Sequence, residues 1–241
     1  MARFGKGMRM ASVDRSLDEG LPLFAGLAPE QIDQLLQEAQ SVRYPKGTNV
    51  FQQDEEAHSF FILLHGNLRV FKLTPDGQQV VVRFVTSGEV FGVAMAIGRK
   101  TYPATATAVL DSIALVWPSA AWPRLVATHP GLAVNTLQTV GSRLQDAHTR
   151  VVEMSTEQVE RRIAHALLRL AQQAGRKVEA GVQIDFPITR QDLAEMTGAT
   201  MFTVSRVLST WESQGLVAGG RQKIMIREPH KLLLLAEGSP G

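Results

Sequence analysis

The chain has 241 residues, 44% hydrophobic and 20% charged, with a formal net charge of +2. That is enough apolar chain for one large or two modest domains with a proper core, and so small a charge neither announces nor excludes a nucleic-acid partner. The absence of cysteine removes disulfides, thiolate-bound zinc, iron–sulfur clusters held by cysteine and a thiol nucleophile.

Residues 1–20 begin with the basic stretch MARFGKGMRM, have no signal-peptide apolar core behind it, and read as a flexible tail. No apolar run approaches the roughly 20 residues that span a bilayer, so no membrane contact and a cytoplasmic location are expected. Residues 21–39 read as a short helical segment, with Pro29 at the start of a helix. From Val42 to Trp117 the pattern becomes short runs rich in Val, Ile, Phe and Leu. Turn residues separate them, and Gly66, Gly77 and Gly88 fall eleven residues apart. This spacing predicts an antiparallel sandwich or barrel, with residues 60–64, 68–71 and 80–85 its clearest strands.

His129-Pro130-Gly131 closes that region and a long helix is predicted to follow. Along it Leu137, Gly141, Leu144, His148, Val151 and Ser155 recur in alternating steps of four and three. That is a heptad-like seam, weakened by its Gly, His and Ser, which packs either on a second copy or on its own domain. A further helix over residues 156–174 carries Val159, Ile163, Ala166, Leu167 and Leu170 on one face, and residues 172–177 read as its polar exit.

Residues 189–226 carry the most chemistry. Thr189 followed by Asp192 is a capping-box pattern, Leu193, Ala194 and Met196 form a small apolar face, and Gly198 permits a sharp turn. Thr200 can cap the next helix, on which Val204, Val207, Leu208 and Trp211 recur at helical spacing. The opposite face of its first two turns presents Met201, Phe202, Ser205 and Arg206, where a recognition helix meets base edges in the major groove. Leu216-Val217-Ala218 and Lys223-Ile224-Met225-Ile226, separated by Gly219-Gly220, read as a two-strand wing. The pattern is a helix–turn–helix with a wing, and it predicts double-stranded DNA as partner. No Gly-rich phosphate loop, nucleophile elbow or His-Glu-x-x-His helix is present, so no enzymatic activity is expected. A protein-interaction module that does not bind specific DNA is the rival class.

Taken in this order, the glycine-spaced strands, the Leu193-Ala194, Gly198 and Thr203-Val204-Ser205-Arg206 elements, and Trp211-Glu212 with Gly215-Leu216-Val217 resemble the CRP/FNR family of bacterial transcription regulators, over about residues 21–235. Residues 201–212 and 227–232 are most similar to its nitrogen-oxide-responsive Nnr/Dnr branch. The resemblance implies an α+β fold. Its parts would be an eight-stranded, cyclic-nucleotide-binding-like β-roll (a double-stranded β-helix) over residues 21–129, a dimerisation helix over 130–156, and a winged helix-turn-helix over 157–235. It also implies a homodimer reading a palindromic operator, RNA polymerase as a partner, and an effector-driven shift in how the two long helices pack.

DNA contacts implied by the resemblance are Arg190, Thr200, Met201, Phe202, Thr203, Ser205, Arg206 and Arg221. Arg206 falls where the family's arginine reads guanine, through a guanidinium fork that matches O6 and N7. Thr203 and Arg190 are expected on phosphates. Phe202 stands where the CRP and FNR branches place glutamate. A phenyl ring cannot accept from cytosine N4 but packs on a thymine methyl, unless Phe202 is simply a core residue. For the effector, Val93, Pro103 and Ala104 replace the Glu, Arg and Ser that hold a cyclic phosphate in the CRP branch, so cyclic AMP is not expected. With no cysteine, neither is an iron–sulfur cluster. The Nnr/Dnr likeness implies haem-linked sensing of nitric oxide by an activator. His148 is the first candidate for the axial ligand, with His58 and His65 behind it. Another small molecule, or none, is the alternative.

Overall fold

The computed structural model describes residues 21–220 and 222–238; the tail over residues 1–20 and Arg221 lie outside the described residues. The chain forms two compact units, Met1–Lys72 with Phe84–Leu144 and Leu73–Arg83 with Gln145–Gly241. No described helix is long and apolar enough to cross a membrane.

The first unit opens with a 3-10 turn, Pro22–Phe24, and helix α1, Pro29–Gln37, whose first position is the proline. Strands β1 (Gln40–Tyr44), β2 (Asn49–Phe51), β3 (Ser59–His65), β4 (Leu68–Leu73), β5 (Gln79–Val85), β6 (Val90–Phe91), β7 (Thr105–Ala108) and β8 (Ser112–Pro118) follow. They form two four-stranded sheets, in the orders β1-β8-β3-β6 and β2-β7-β4-β5. This is the expected β-roll. Gly66, Gly77 and Gly88 have φ of +94°, +82° and +89°, a left-handed turn that other residues adopt only under strain. The eleven-residue spacing therefore counts the corners of the roll. At Gly66 space also demands glycine, since a Cβ would lie 2.3 Å from Ser112 Oγ.

Helices α2 (Trp122–Thr128) and α3 (Pro130–Thr156) leave the roll. One core joins them to α1: Trp117 donates its indole N–H to the Leu35 carbonyl at 2.8 Å, and Asn135 of α3 donates to the carbonyls of Leu23 and Ala25 at 2.9 Å. A second core fills the roll with aromatic rings. Tyr102 stacks on Phe51 at 3.9 Å between centroids, Phe61 stacks on Phe91 at 4.9 Å, and Phe51 bridges the two pairs. The Tyr102 hydroxyl is satisfied by donating to the Ser59 carbonyl at 2.7 Å.

In the second unit the end of α3 leads to α4 (Val159–Ala174) and a hairpin, β9 (Gly175–Val178) and β10 (Gly181–Ile184). Helices α5 (Arg190–Thr197) and α6 (Met201–Ser213), strands β11 (Val217–Gly220) and β12 (Lys223–Ile226), and α7 (Pro229–Glu237) complete it. The strands make one sheet, β11-β12-β10-β9. Three boundaries differ from the sequence expectation. The second long helix starts at Val159 because Gln158 is extended and breaks it from α3. The expected polar exit over residues 172–177 splits between the last turn of α4 and β9. Gly219 and Gly220, expected as the wing turn, belong to β11, paired with Ile224 and Lys223.

Around the break, Arg and His side chains of α4 face Glu153 of α3 and Glu157 of the connection. Glu153, buried, pairs with Arg169, and Glu157 takes Arg161 at 3.4 Å and His165 at 3.3 Å. Arg150 donates to the carbonyl of Val82. Burial, with the charge of Arg169, pulls its pKa below the ordinary arginine value.

Burial pushes Tyr102 and Tyr44, the two tyrosines of the chain, up to about 12. Their neutral forms are favoured by the fold, so their contribution to stability is complete below the unfolded value near 10 and is lost as pH rises through about 12. Spectrophotometric titration of the native protein should show no phenolate step near pH 10 that is not accompanied by unfolding.

Candidate nucleic-acid interface

The sequence builds the interface by fixing the ends and the buried face of two short helices. Thr189 is extended. Its hydroxyl accepts from the Asp192 N–H at 3.0 Å, and the Asp192 carboxylate accepts from the Thr189 N–H at 2.9 Å, closing the predicted capping box. Gly198 ends α5 with φ +63°. A Cβ there would come within 2.7 Å of the end of the Met154 side chain, so the left-handed conformation is the main demand for glycine. Thr200 then caps α6, accepting from the Thr203 N–H at 3.1 Å.

On α6, Val204, Val207, Leu208 and Trp211 are buried as expected, and the Trp211 indole N–H donates to Glu160 of α4 at 3.1 Å. A helix rotates about 100° per residue, so burying these four turns Met201, Phe202 and Arg206 outward, and all three are exposed. Ser205 and Thr203 are half-buried at the margins of this face, and Thr200 is exposed at its start. Phe202 is 77% exposed. Core packing, the alternative reading of this ring, is thereby excluded. A phenylalanine whose ring the fold leaves in water contributes nothing to the core and is available for an apolar contact.

Arg190, the first residue of α5, is exposed, with its Nη2 4.0 Å from Glu212 Oε1 of α6. Beyond α6 the wing offers Lys223, exposed, and Gln222 in a left-handed conformation with φ +62°. These two were not singled out from the sequence; the basic residue beside a predicted turn was the available signal for Lys223. Arg206 has no ion pair among the described residues. A cationic and apolar surface at the start of a helix, with phosphate-seeking N–H groups at its N-terminus, is suited to lie against nucleic acid in a major groove.

The structure does not gather the effector candidates in one place. His58 is exposed, 3.5 Å from Glu56, and His65 is exposed at the end of β3. His148 is exposed on α3. Val93 and Ala104 are buried and Pro103 is half-buried, while the nearby cations Arg99 and Lys100 are exposed. Among the described residues no cluster of three His, Asp or Glu could hold a metal ion.

Known proteins match both halves of this architecture. The Cyclic nucleotide-binding domain family matches residues 41–129 and the Crp-like helix-turn-helix domain family matches residues 161–235. The Cyclic AMP receptor protein of Thermus thermophilus is 31% identical over 91% of this chain and 99% of its own length. The Nitrogen fixation regulation protein FixK of Bradyrhizobium diazoefficiens is 26% identical over 81% of each chain. The structure of FixK2 from Bradyrhizobium japonicum superposes with a TM-score of 0.73 and 22% identity, covering 84% of this chain and 98% of that one, a likeness of fold. These relatives are regulators, not enzymes, and DNA binding and homodimerisation are typical of their kind. With the roll, the long helix and the winged helix-turn-helix in the same order, the chain belongs to the CRP/FNR family of DNA-binding transcription regulators.

Proposed function

We propose that the protein reads a palindromic operator as a homodimer, with Arg206 forking onto guanine and Phe202 packed on a thymine methyl in each half-site. The observation that carries this reading is the outward face of α6, where an exposed aromatic ring and an exposed guanidinium stand one helical turn apart. Arg190, Thr200 and Thr203 serve the phosphates, Met201 and Ser205 flank the reading pair, and Arg221, outside the described residues, is assigned to the wing's backbone contacts. The output is activation of transcription together with RNA polymerase, as the family resemblance implies.

The second copy is seated on α3. Leu137, Leu144 and Val151 are 72%, 56% and 64% exposed on one face of that helix, with Gly141, His148 and Ser155 completing the row. Covering an aliphatic side chain fully contributes about 1.5–3 kcal/mol, so three in register are a strong inducement to pair helices.

For the signal, the name of the Thermus relative raises a cyclic nucleotide, and the chemistry of the roll argues against one here. A cyclic phosphate is anionic, and burying it without a partner costs several kcal/mol; Val93, Pro103 and Ala104 supply no charge. The reading we carry forward is that of the Nnr/Dnr branch, a response to nitrogen oxides through haem. Its support is the likeness of residues 201–212 and the placement of His148. The His148 imidazole is exposed between Leu144 and Val151 on the same face, a nitrogen donor with apolar neighbours that would hold the iron if haem binds there. His58, beside Glu56, and His65 are the weaker donors. Haem would supply the gas-binding iron, and the chain's own contribution would be the imidazole and the apolar contacts of this face. The competing reading, a different small molecule or none, is favoured by the aromatic stack that fills the roll.

Three outcomes are expected. Arg206→Ala should weaken operator binding by roughly 1–3 kcal/mol in gel shifts while leaving random-sequence DNA nearly unaffected; an equal loss on both would move Arg206 to the backbone. Leu144→Asp should sediment as a monomer and lose operator binding together, and a dimer with normal binding would refute the seam. Protein incubated with haem under reducing, anaerobic conditions should show a Soret band that shifts with nitric oxide and is lost in His148→Ala. If no band forms, the haem reading is withdrawn in favour of the other.

A further inference from the structure

Glu212 lies at a point where three parts of the DNA-binding head meet. It sits in the last turn of α6, its Oε1 is 4.0 Å from Arg190 Nη2 at the start of α5, and the same oxygen lies 2.3 Å from where a Cβ on Gly219 of β11 would be. Gly219 has an ordinary backbone conformation and its next neighbour, the Lys223 carbonyl oxygen, is 4.0 Å from that Cβ position. Glycine leaves a space there, and the carboxylate takes it. The wing lacks a side chain where the Glu212 oxygen that faces Arg190 lies.

We infer that Glu212 is a positioning residue for DNA binding: seated in the slot left by Gly219, it holds the Arg190 guanidinium at the first turn of α5, ready for a phosphate. This rests on the reading of Arg190 as a phosphate contact given above. The pair is too exposed, 47% and 34%, to add much stability. Its effect is to restrict a long flexible side chain before DNA arrives, so less rotamer freedom is lost on binding. It also explains why an acidic side chain is tolerated beside a surface that must meet polyanionic DNA. The carboxylate is spent on Arg190 and set against the wing backbone.

The test is a double-mutant cycle of Arg190→Ala and Glu212→Gln, with Gly219→Ala as an independent way to evict the carboxylate. Gly219→Ala displaces only the far end of a flexible side chain, so all variants should keep the wild-type thermal midpoint. Affinity is measured on an operator and on a random-sequence duplex over a range of salt. A phosphate contact is sequence-independent, so the cycle is readable on random DNA even if the operator reading fails. Arg190→Ala alone should weaken binding about five- to tenfold and lower the salt slope by about one. In the Glu212→Gln or Gly219→Ala background the same change should cost less than about twofold, with the slope already reduced. Additive effects, or a slope that Glu212→Gln leaves untouched, would overturn the inference. Loss of operator preference with the coupling intact would instead count against the operator reading alone.

Discussion

Much of the DNA-binding head follows from one constraint, the burial of a single face of α6. Val204, Val207, Leu208 and Trp211 are withdrawn from water, and Trp211 is anchored further by its bond to Glu160. With the inner face fixed, helical geometry leaves no choice about which residues look outward. Thr200, as its cap, and Gly198, in the left-handed turn before it, fix where the helix begins. Phe202 and Arg206 are therefore presented by the packing of residues that never touch a ligand. A one-residue slip in that packing would rotate the outward face by about 100° and dismantle the surface.

The sensor half rests on a different economy. Left-handed glycines at eleven-residue intervals turn the strands, and the interior they enclose is filled by Phe51, Phe61, Phe91 and Tyr102. Of the cations beside it, Arg99 and Lys100 are exposed, while Arg143 and Arg150 are half-buried against the carbonyls of Val90 and Val82. The family's sensor scaffold is intact, and where the resemblance expects a charged grip for a cyclic phosphate the chain carries Val93, Pro103 and Ala104. Scaffold and ligand chemistry are separable. Membership of the family establishes the first, and the side chains of each member decide the second.

The head was the more legible half because its signals are local. Capping boxes, helix periodicity and a glycine turn span three to eight residues, and Thr189, Asp192, Gly198 and Thr200 behave as their types require. The roll was legible through Gly66, Gly77 and Gly88, although its pairings were not, since β3 lies between β8 and β6 across long stretches of chain. The β9–β10 hairpin was not legible because its strands are only four residues each and β9 follows α4 without a break. Gly175 was the clue: a Cβ there would lie 2.1 Å from the Ala171 carbonyl oxygen. The exposure of Phe202 could not be decided from periodicity alone, because a ring next to Met201 fits a core as well as a surface. The slot at Gly219 was not readable at all. It depends on Glu212 and Arg190 being brought together, and nothing about a glycine pair in a wing separates a turn from a space left for a carboxylate.

The central claim is that the outward face of α6 chooses the operator, and that its phenylalanine makes the choice differ from that of a glutamate. Selection from a library of duplexes with randomised half-sites measures this directly, using the wild-type protein and Phe202→Glu. The wild type should enrich a two-fold symmetric motif with guanine for Arg206 and a neighbouring thymine. Phe202→Glu should keep the guanine and exchange the thymine preference for a pair that presents cytosine N4. Enrichment of no symmetric motif, or of the same motif by both proteins, would contradict the account.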